Sequence, residues 1–215
     1  MTTTRLYLIR HGETTWNAEK RLQGHTDIPL NAKGETQARQ MAQALKDARL
    51  TFDVLYTSDL KRAVDTAAAL VQLFGVVAKV DSNLRERHFG ALQGLSINEA
   101  PLLRPDIWQA HITRALDHEL EGGESIRQFA LRIQKVLDRI EEQYPGKTVL
   151  MVSHGGTLDM MYRIASNQAL STQRVASVPN ASLNWLGHRL DSGWVVEQWA
   201  DTRHLKGSAL ENVDL

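Results

Sequence analysis

The chain has no cysteine, so disulfide bridges, thiolate catalysis and cysteine-rich zinc sites are excluded together. It also lacks a surplus of either charge, since 25 Lys and Arg balance 25 Asp and Glu. Nucleic-acid and membrane-surface binders usually carry a basic excess or stripe, so neither partner is expected. Neutrality still allows a local cationic pocket, because net charge says nothing about clustering. No run of 18 apolar residues occurs, and the apolar stretch 6–9 is too short for the core of a signal peptide. A cytoplasmic address is the default expectation. The eight histidines contain no i, i+4 pair of the kind that holds zinc. The glycine loops of nucleotide hydrolases and dinucleotide enzymes are missing, as is a nucleophilic serine elbow.

What is present is an alternation of strand-like and helix-like segments over 215 residues, a length that fits one domain. A domain of that size buries roughly 70% of its unfolded surface. Short apolar runs at 6–9, 54–56 and 148–152 read as strands, the last without polar alternation, as in a sheet covered on both faces. Further strands are expected at 76–80, 183–186 and 195–199. Segment 31–47 is helical by its stripe Ala38, Met41, Ala42, Leu45. The helix with stripe Leu60, Ala63, Ala67, Leu70, Phe74 is expected to be capped by Ser58 or Asp59. Helices are also expected over 124–143 and from about 157. The middle, with glycines at 90, 94 and 122 and prolines at 101 and 105, reads as loops with a short helix after Pro105. The five tryptophans (Trp16, Trp108, Trp185, Trp194, Trp199) are expected mostly in the core or a pocket wall. The implied fold is a three-layer α/β/α sandwich with a mostly parallel central sheet, one domain over 1–215 with a small cap segment at about 96–120.

In such sheets ligands bind beyond the carboxyl ends of the strands. Two His-Gly pairs, His11-Gly12 and His154-Gly155, follow apolar strands and so fall on that rim. Around His11, Arg10 can grip an anion in a fork, Gly12 lets the backbone come close and Asn17 offers amide donors. Imidazole is itself a nucleophile toward phosphorus. Gly155-Gly156 opens a helix whose free N–H groups favour an anion. Each pair alone is commonplace at a turn; two on one rim carry weight. Arg62 lies near a helix N-terminus, where a cation opposes the dipole unless an anion offsets it. The bland alternative is a solvated arginine. Glu86, flanked by Arg85 and Arg87, is by default a surface ion pair. A carboxyl drawn instead into a dry pocket beside a phosphate holds its proton more tightly and can donate it near neutral pH.

Leu8-Ile9-Arg10-His11-Gly12-Glu13-Thr14 followed by Trp16-Asn17 resembles the signature of the histidine phosphatase superfamily, also called phosphoglycerate mutase-like. Further similar blocks follow in order: Gln23-Gly24 with Asp27-Ile28-Pro29-Leu30, Tyr56 to Ala63, Leu84-Arg85-Glu86 with Phe89-Gly90, Gly122-Gly123-Glu124-Ser125, and Val152 to Gly156. The resemblance covers about residues 5–165, with a weaker likeness in Pro179-Asn180-Ala181-Ser182. It implies His11 as the phosphorylated nucleophile and Arg10, Arg62 and His154 as the groups holding the phosphate. Glu86 would protonate the leaving group and then activate water. Thr14, Asn17, Gln23, Gly24 and Gly155 would hold substrate oxygens. No metal and no other cofactor is implied. The expected partner is a small phosphorylated metabolite, with a homodimer left open.

The mutases of this family carry a longer insertion after the Glu86 block, with paired arginines. Here Arg104 and Arg114 stand apart, so the reading is a phosphatase acting on a small phosphate monoester. The alternatives are a cofactor-dependent phosphoglycerate mutase and, in another class, a non-catalytic phosphate-binding module. Leu92-Gln93-Gly94, where many members have Trp-Glu-Gly, is expected at the pocket rim.

Overall fold

The structure is a computed structural model that describes residues 3–205. In chain order its elements are β1 (Thr4–Arg10), α1 (Thr15–Ala18), α2 (Ala32–Asp47), β2 (Val54–Thr57), α3 (Lys61–Phe74) and β3 (Ala78–Val80). After two short 3-10 turns, Ser82–Leu84 and Gly90–Leu92, come α4 (Ala100–Leu103), α5 (Pro105–Ile112), α6 (Ile126–Gln143), β4 (Thr148–Ser153) and α7 (Gly155–Ala165). The hairpin of β5 (Leu183–Arg189) and β6 (Gly193–Asp201) closes the described chain.

The strands form one six-stranded sheet in the order β3-β2-β4-β1-β5-β6. β3, β2, β4 and β1 run parallel, whereas β5 and β6 are antiparallel additions at one edge. The expected mostly parallel sheet between helices is therefore what forms. Each central strand feeds two cores. Leu6 and Leu8 of β1 with Val149 and Met151 of β4 pack against Phe129, Ile133, Leu137 and Ile140 of α6 and Leu158 of α7. Ile9, Leu150 and Val152 point the other way, onto Met41 and Leu45 of α2 and Ala63, Ala67 and Leu70 of α3. Successive strand side chains face opposite sides, so a strand covered on both faces must be apolar at every position. A separate small cluster of Leu22, Phe89, Leu92, Ala100 and Leu120 packs with Ile107 and Trp108, tying α4 and α5 to the loop before them. No helix among the described residues is long and apolar enough to cross a membrane.

Several boundaries differ from the sequence expectation for local reasons. The third strand shortens to residues 78–80, since it pairs only with β2 and forms the sheet edge. The long helix starts at Ile126 because Ser125 and Gln128 form a reciprocal capping box. α1, not foreseen, closes on the same device, with Thr14 and Asn17 as its partners. Neither Ser58 nor Asp59 caps α3 as expected: its N-cap is Leu60, and the first helical N–H, from Lys61, donates instead to Asp27 Oδ1 at 2.6 Å. Asp59 is drawn away into a two-pronged pair with Arg85, at 2.8 and 2.6 Å. α7 begins at Gly155, two residues before the expected start, with His154 at its N-cap.

Candidate active site

The neighbouring central strands β1 and β4 are in register so that Arg10 pairs with Ser153. Both chains then leave the sheet together, and the His11 N–H donates to the Ser153 carbonyl at 2.9 Å. As a result the rings of His11 and His154 meet edge to face, 5.2 Å between centroids. His11 opens onto a cleft of about 820 Å³, counted to its open mouth, which Arg10, Asn17, Gln23, Gly24, Arg62 and Glu86 also help to line. Thr14, His154 and Gly155 are buried outside that lining; Gly156 faces the cleft instead of Gly155.

Hydrogen bonds decide the state of each imidazole. His11 Nδ1 lies 2.7 Å from the Gly12 carbonyl, which can only accept, so Nδ1 carries the proton and Nε2 keeps its lone pair. Arg62 Nε donates to His154 Nδ1 at 3.1 Å, so the His154 proton sits on Nε2. That buried Nε2 has no hydrogen-bond partner among the described residues. Burial, then the positive charges of Arg62 and Arg10, hold His11 well below the usual histidine range. Burial and Arg62, followed by His11 and Arg10, do the same to His154. Both rings are neutral at pH 7, one presenting a lone pair and the other an N–H.

Arg10 and Arg62 are each 1% exposed, so the solvated reading of Arg62 does not hold. Arg10 is anchored through Nη1 on the Val178 carbonyl at 2.6 Å. Arg62 donates to the Gly24 and Thr26 carbonyls at 2.7 and 2.9 Å, joining α3 to the Gln23–Thr26 turn as well as to His154. Asn17 Oδ1 accepts from the Thr14 N–H and hydroxyl, both at 3.1 Å, which turns its amide nitrogen away from them. The Thr14 hydroxyl also lies 3.0 Å from Gln23 Oε1, and its single proton serves the two amide oxygens in turn, so this threonine orients two amides from behind the wall.

The Glu86 carboxylate accepts from its neighbour's N–H, Arg87, and from the Gly156 N–H in the first turn of α7, each at 2.8 Å. A Cβ on Gly156 would collide with that carboxylate, so glycine is required for the approach. The loop bearing Glu86 is clamped from α6. Arg132 donates to the carbonyls of Asn83, Arg85 and Glu86 at 2.8, 2.9 and 3.1 Å and is itself gripped by Glu124 at 2.8 and 2.7 Å. His25 Nε2 donates to the same Glu86 carbonyl at 2.8 Å.

Some contributors escape the sequence reading. Asn180, fully buried, donates to the His11 carbonyl at 2.9 Å and fixes the turn after β1. Its only sequence signal is the short Pro-Asn-Ala-Ser likeness. Gln93, expected at the rim, accepts from the His25 N–H at 2.8 Å and supports the Gly24 turn. Among the described residues no group of three or more His, Asp or Glu is arranged to hold a metal ion.

The chain as a whole has known relatives. Residues 6–202 match the model of the histidine phosphatase superfamily, branch 1. The chain belongs to that superfamily. It is 38% identical to the metal-independent phosphoserine phosphatase of Arabidopsis thaliana over 205 residues, covering 94% of this chain and 83% of the relative. To the Arabidopsis thaliana phosphoglycerate mutase-like protein 4 it is 36% identical over 206 residues, covering 94% and 86%. Among solved structures, a mycobacterial glucosyl-3-phosphoglycerate phosphatase in complex with VO3 superposes with a TM-score of 0.80 at 29% identity, covering 92% of this chain and 99% of the other. By class the chain is a phosphoric monoester hydrolase.

Proposed function

We propose that this enzyme hydrolyses a small phosphate monoester through a phosphohistidine formed on Nε2 of His11. The observation that carries the reading is the pair of opposite tautomers: a neutral lone pair on His11 in the cleft and, behind it with ring centroids 5.2 Å apart, an N–H on His154 that has no partner among the described residues. His11 Nε2 attacks phosphorus while the bond to the ester oxygen breaks. Arg10, Arg62 and the His154 N–H hold the equatorial oxygens, where charge stabilisation matters most. The amide nitrogens of Asn17 and Gln23 and the backbone at Gly24 take the remaining oxygen contacts. Glu86 gives its proton to the departing alkoxide; a phosphate dianion beside it favours the protonated carboxyl. Water then attacks phosphorus, its proton returns to Glu86, the N–P bond breaks and inorganic phosphate leaves. No step requires a metal.

Rapid mixing with a 32P-labelled monoester followed by alkaline quench should trap label that acid releases, and His11→Ala should trap none. Label retained in His11→Ala, or turnover unchanged there, overturns the assignment. Glu86→Gln should remove the alkaline limb of the kcat profile. Incubation with 3-phosphoglycerate separates the mutase alternative: rapid isomer exchange with little free phosphate would replace the hydrolytic reading.

A further inference from the structure

Gln37 stands one turn before Met41 on the stripe that buries α2, where the pattern asks for an apolar side chain, and it is 1% exposed. A buried amide is costly unless it finds a partner. Its Oε1 accepts from the Glu13 N–H at 2.8 Å. The Glu13 N–H and the Gly12 carbonyl belong to one planar trans peptide and point in opposite directions. That carbonyl is the acceptor 2.7 Å from His11 Nδ1. One peptide earlier, the Gly12 N–H donates to Thr66 Oγ1 at 3.0 Å, while the Thr66 hydroxyl gives its own proton to the Arg62 carbonyl at 2.7 Å. Thr66 has no exposed surface. At the far end of that peptide the His11 carbonyl accepts from the Asn180 amide and the Ala181 N–H, at 2.9 and 3.2 Å. The N–H and C=O groups of both peptides after His11 are therefore all occupied.

The turn needs such grips because its glycine cannot be replaced by a stiffer residue. Gly12 lies against the backbone of Gly34 in the first turn of α2, and a Cβ there would collide with the Gly34 carbonyl. Glycine makes the approach possible but does little to hold its own peptide planes. We propose that Gln37, with Thr66 one peptide earlier, is a positioning residue for the nucleophile: by holding the Glu13 N–H it aims the Gly12 carbonyl at His11 Nδ1, which keeps the proton there and the lone pair on Nε2. This rests on the phosphohistidine reading above. The nitrogen that carries the proton in a neutral histidine is set by the hydrogen bond its other nitrogen makes. Once the carbonyl is no longer aimed, the proton passes to Nε2 in part of the molecules and blocks attack there. Gln37 does not line the cleft, so the grip of Arg10 and Arg62 on phosphate is left in place.

The test uses protein labelled with 15N-histidine, in which long-range 1H–15N correlation spectra tell a bare ring nitrogen from a protonated one and His11→Ala identifies the resonances. Wild-type His11 should show a protonated Nδ1 and a bare Nε2. Gln37→Met, of equal length but without an acceptor, should mix the two tautomers. It should also slow phosphoenzyme formation about 10- to 100-fold, with KM changed by less than about threefold. Gln37→Glu, which restores an acceptor oxygen, should return the wild-type ring pattern and most of the rate. Thr66→Val, isosteric and without a hydroxyl, should shift the pattern in the same direction as Gln37→Met. Gln43→Met, on the exposed face of α2, should change neither readout. A protonated Nε2 in wild-type His11 overturns the proposal whichever variants fold. An unmoved ring pattern in folded Gln37→Met also overturns it, even where the rate falls, because the loss is then structural only. The tautomer is read without substrate, which separates the two readings: a ring shift in Gln37→Met with no phosphohistidine trapped in wild type upholds the positioning and defeats the nucleophile assignment alone.

Discussion

Replacing Arg132 with glutamine should separate the positioning of Glu86 from the binding of phosphate. Arg132 touches no reacting atom; it holds the carbonyls of Asn83, Arg85 and Glu86 from α6 while Glu124 fixes its fork. Both members of that pair are largely buried, with side chains 16% and 20% exposed. Removing one partner of a buried pair costs about 3 to 5 kcal/mol, and the residual exposure here argues for the lower end. At about 2 to 4 °C per kcal/mol for a chain of this size, Tm should fall by about 6 to 12 °C. The Glu86 carbonyl keeps its His25 contact, so its carboxylate is displaced rather than released. Misplacement by about 1 Å costs on the order of 100-fold in rate, so kcat should drop about 10- to 100-fold with little change in KM, since Arg10 and Arg62 are untouched. Arg132→Lys should recover more stability than activity, because an ammonium restores the charge but not the fork. The pH dependence has a definite sign. Burial pushes Glu124 upward, but hydrogen bonds and charge from Arg132 and the His88 N–H outweigh it and hold the carboxyl low. A lowered carboxyl adds stability above its unfolded pKa, about 4.3, and loses it as pH falls through the folded value. The gap between wild type and Arg132→Gln should therefore be widest near pH 7 and shrink toward pH 3. A kcat within twofold of wild type, measured by phosphate release on protein shown folded by its melt, refutes the positioning argument.

Gly156→Ala puts a methyl group where the Glu86 carboxylate lies. Alanine is the better helix residue by about 1 kcal/mol, so Tm should hold or rise while kcat falls on the order of 100-fold; retained kcat would show that Glu86 works from another position. The second expectation concerns acid stability. His111 is buried and lowered to about 3, by burial first and then by Arg87, Arg114 and Arg174, so the unfolded chain takes its proton before the folded one does. Stability must then fall as pH drops below about 6.5, by about 3 kcal/mol at pH 4.5 from this residue alone. Urea midpoints at pH 7.5 and 4.5 measure it, and His111→Leu should flatten the slope; an unchanged slope places the ionisation elsewhere.

The sequence was legible wherever a local pattern has one structural outcome. The unalternating apolar run of β4 required cover on both faces, and the cores of α6 with α7 and of α2 with α3 supply it. His11 and His154 each end an apolar strand, and parallel pairing of β1 with β4 brings them together on one rim. Chemistry carried by long side chains across the fold was less readable. Ser58 and Asp59 are the plausible caps on paper, yet Asp27, 34 positions away, takes the first N–H of α3 while Asp59 is drawn to Arg85. Arg132 reads as a helix-surface cation, and no spacing rule joins it to three carbonyls 46 to 49 positions away.

The sequence alone settled the sheet, the covering helices and the residue types at the strand ends, because burial and turn geometry act through neighbours a few positions apart. Only the tertiary structure decided which imidazole keeps a lone pair and which presents an N–H. Those states depend on Gly12 and Arg62 as hydrogen-bond partners within the folded rim. It likewise decided that Arg114, Arg163 and Arg174 share Asp159 and that Arg87, Arg114 and Arg174 crowd His111, since repulsion and desolvation are properties of distance in space and leave no trace in spacing along the chain.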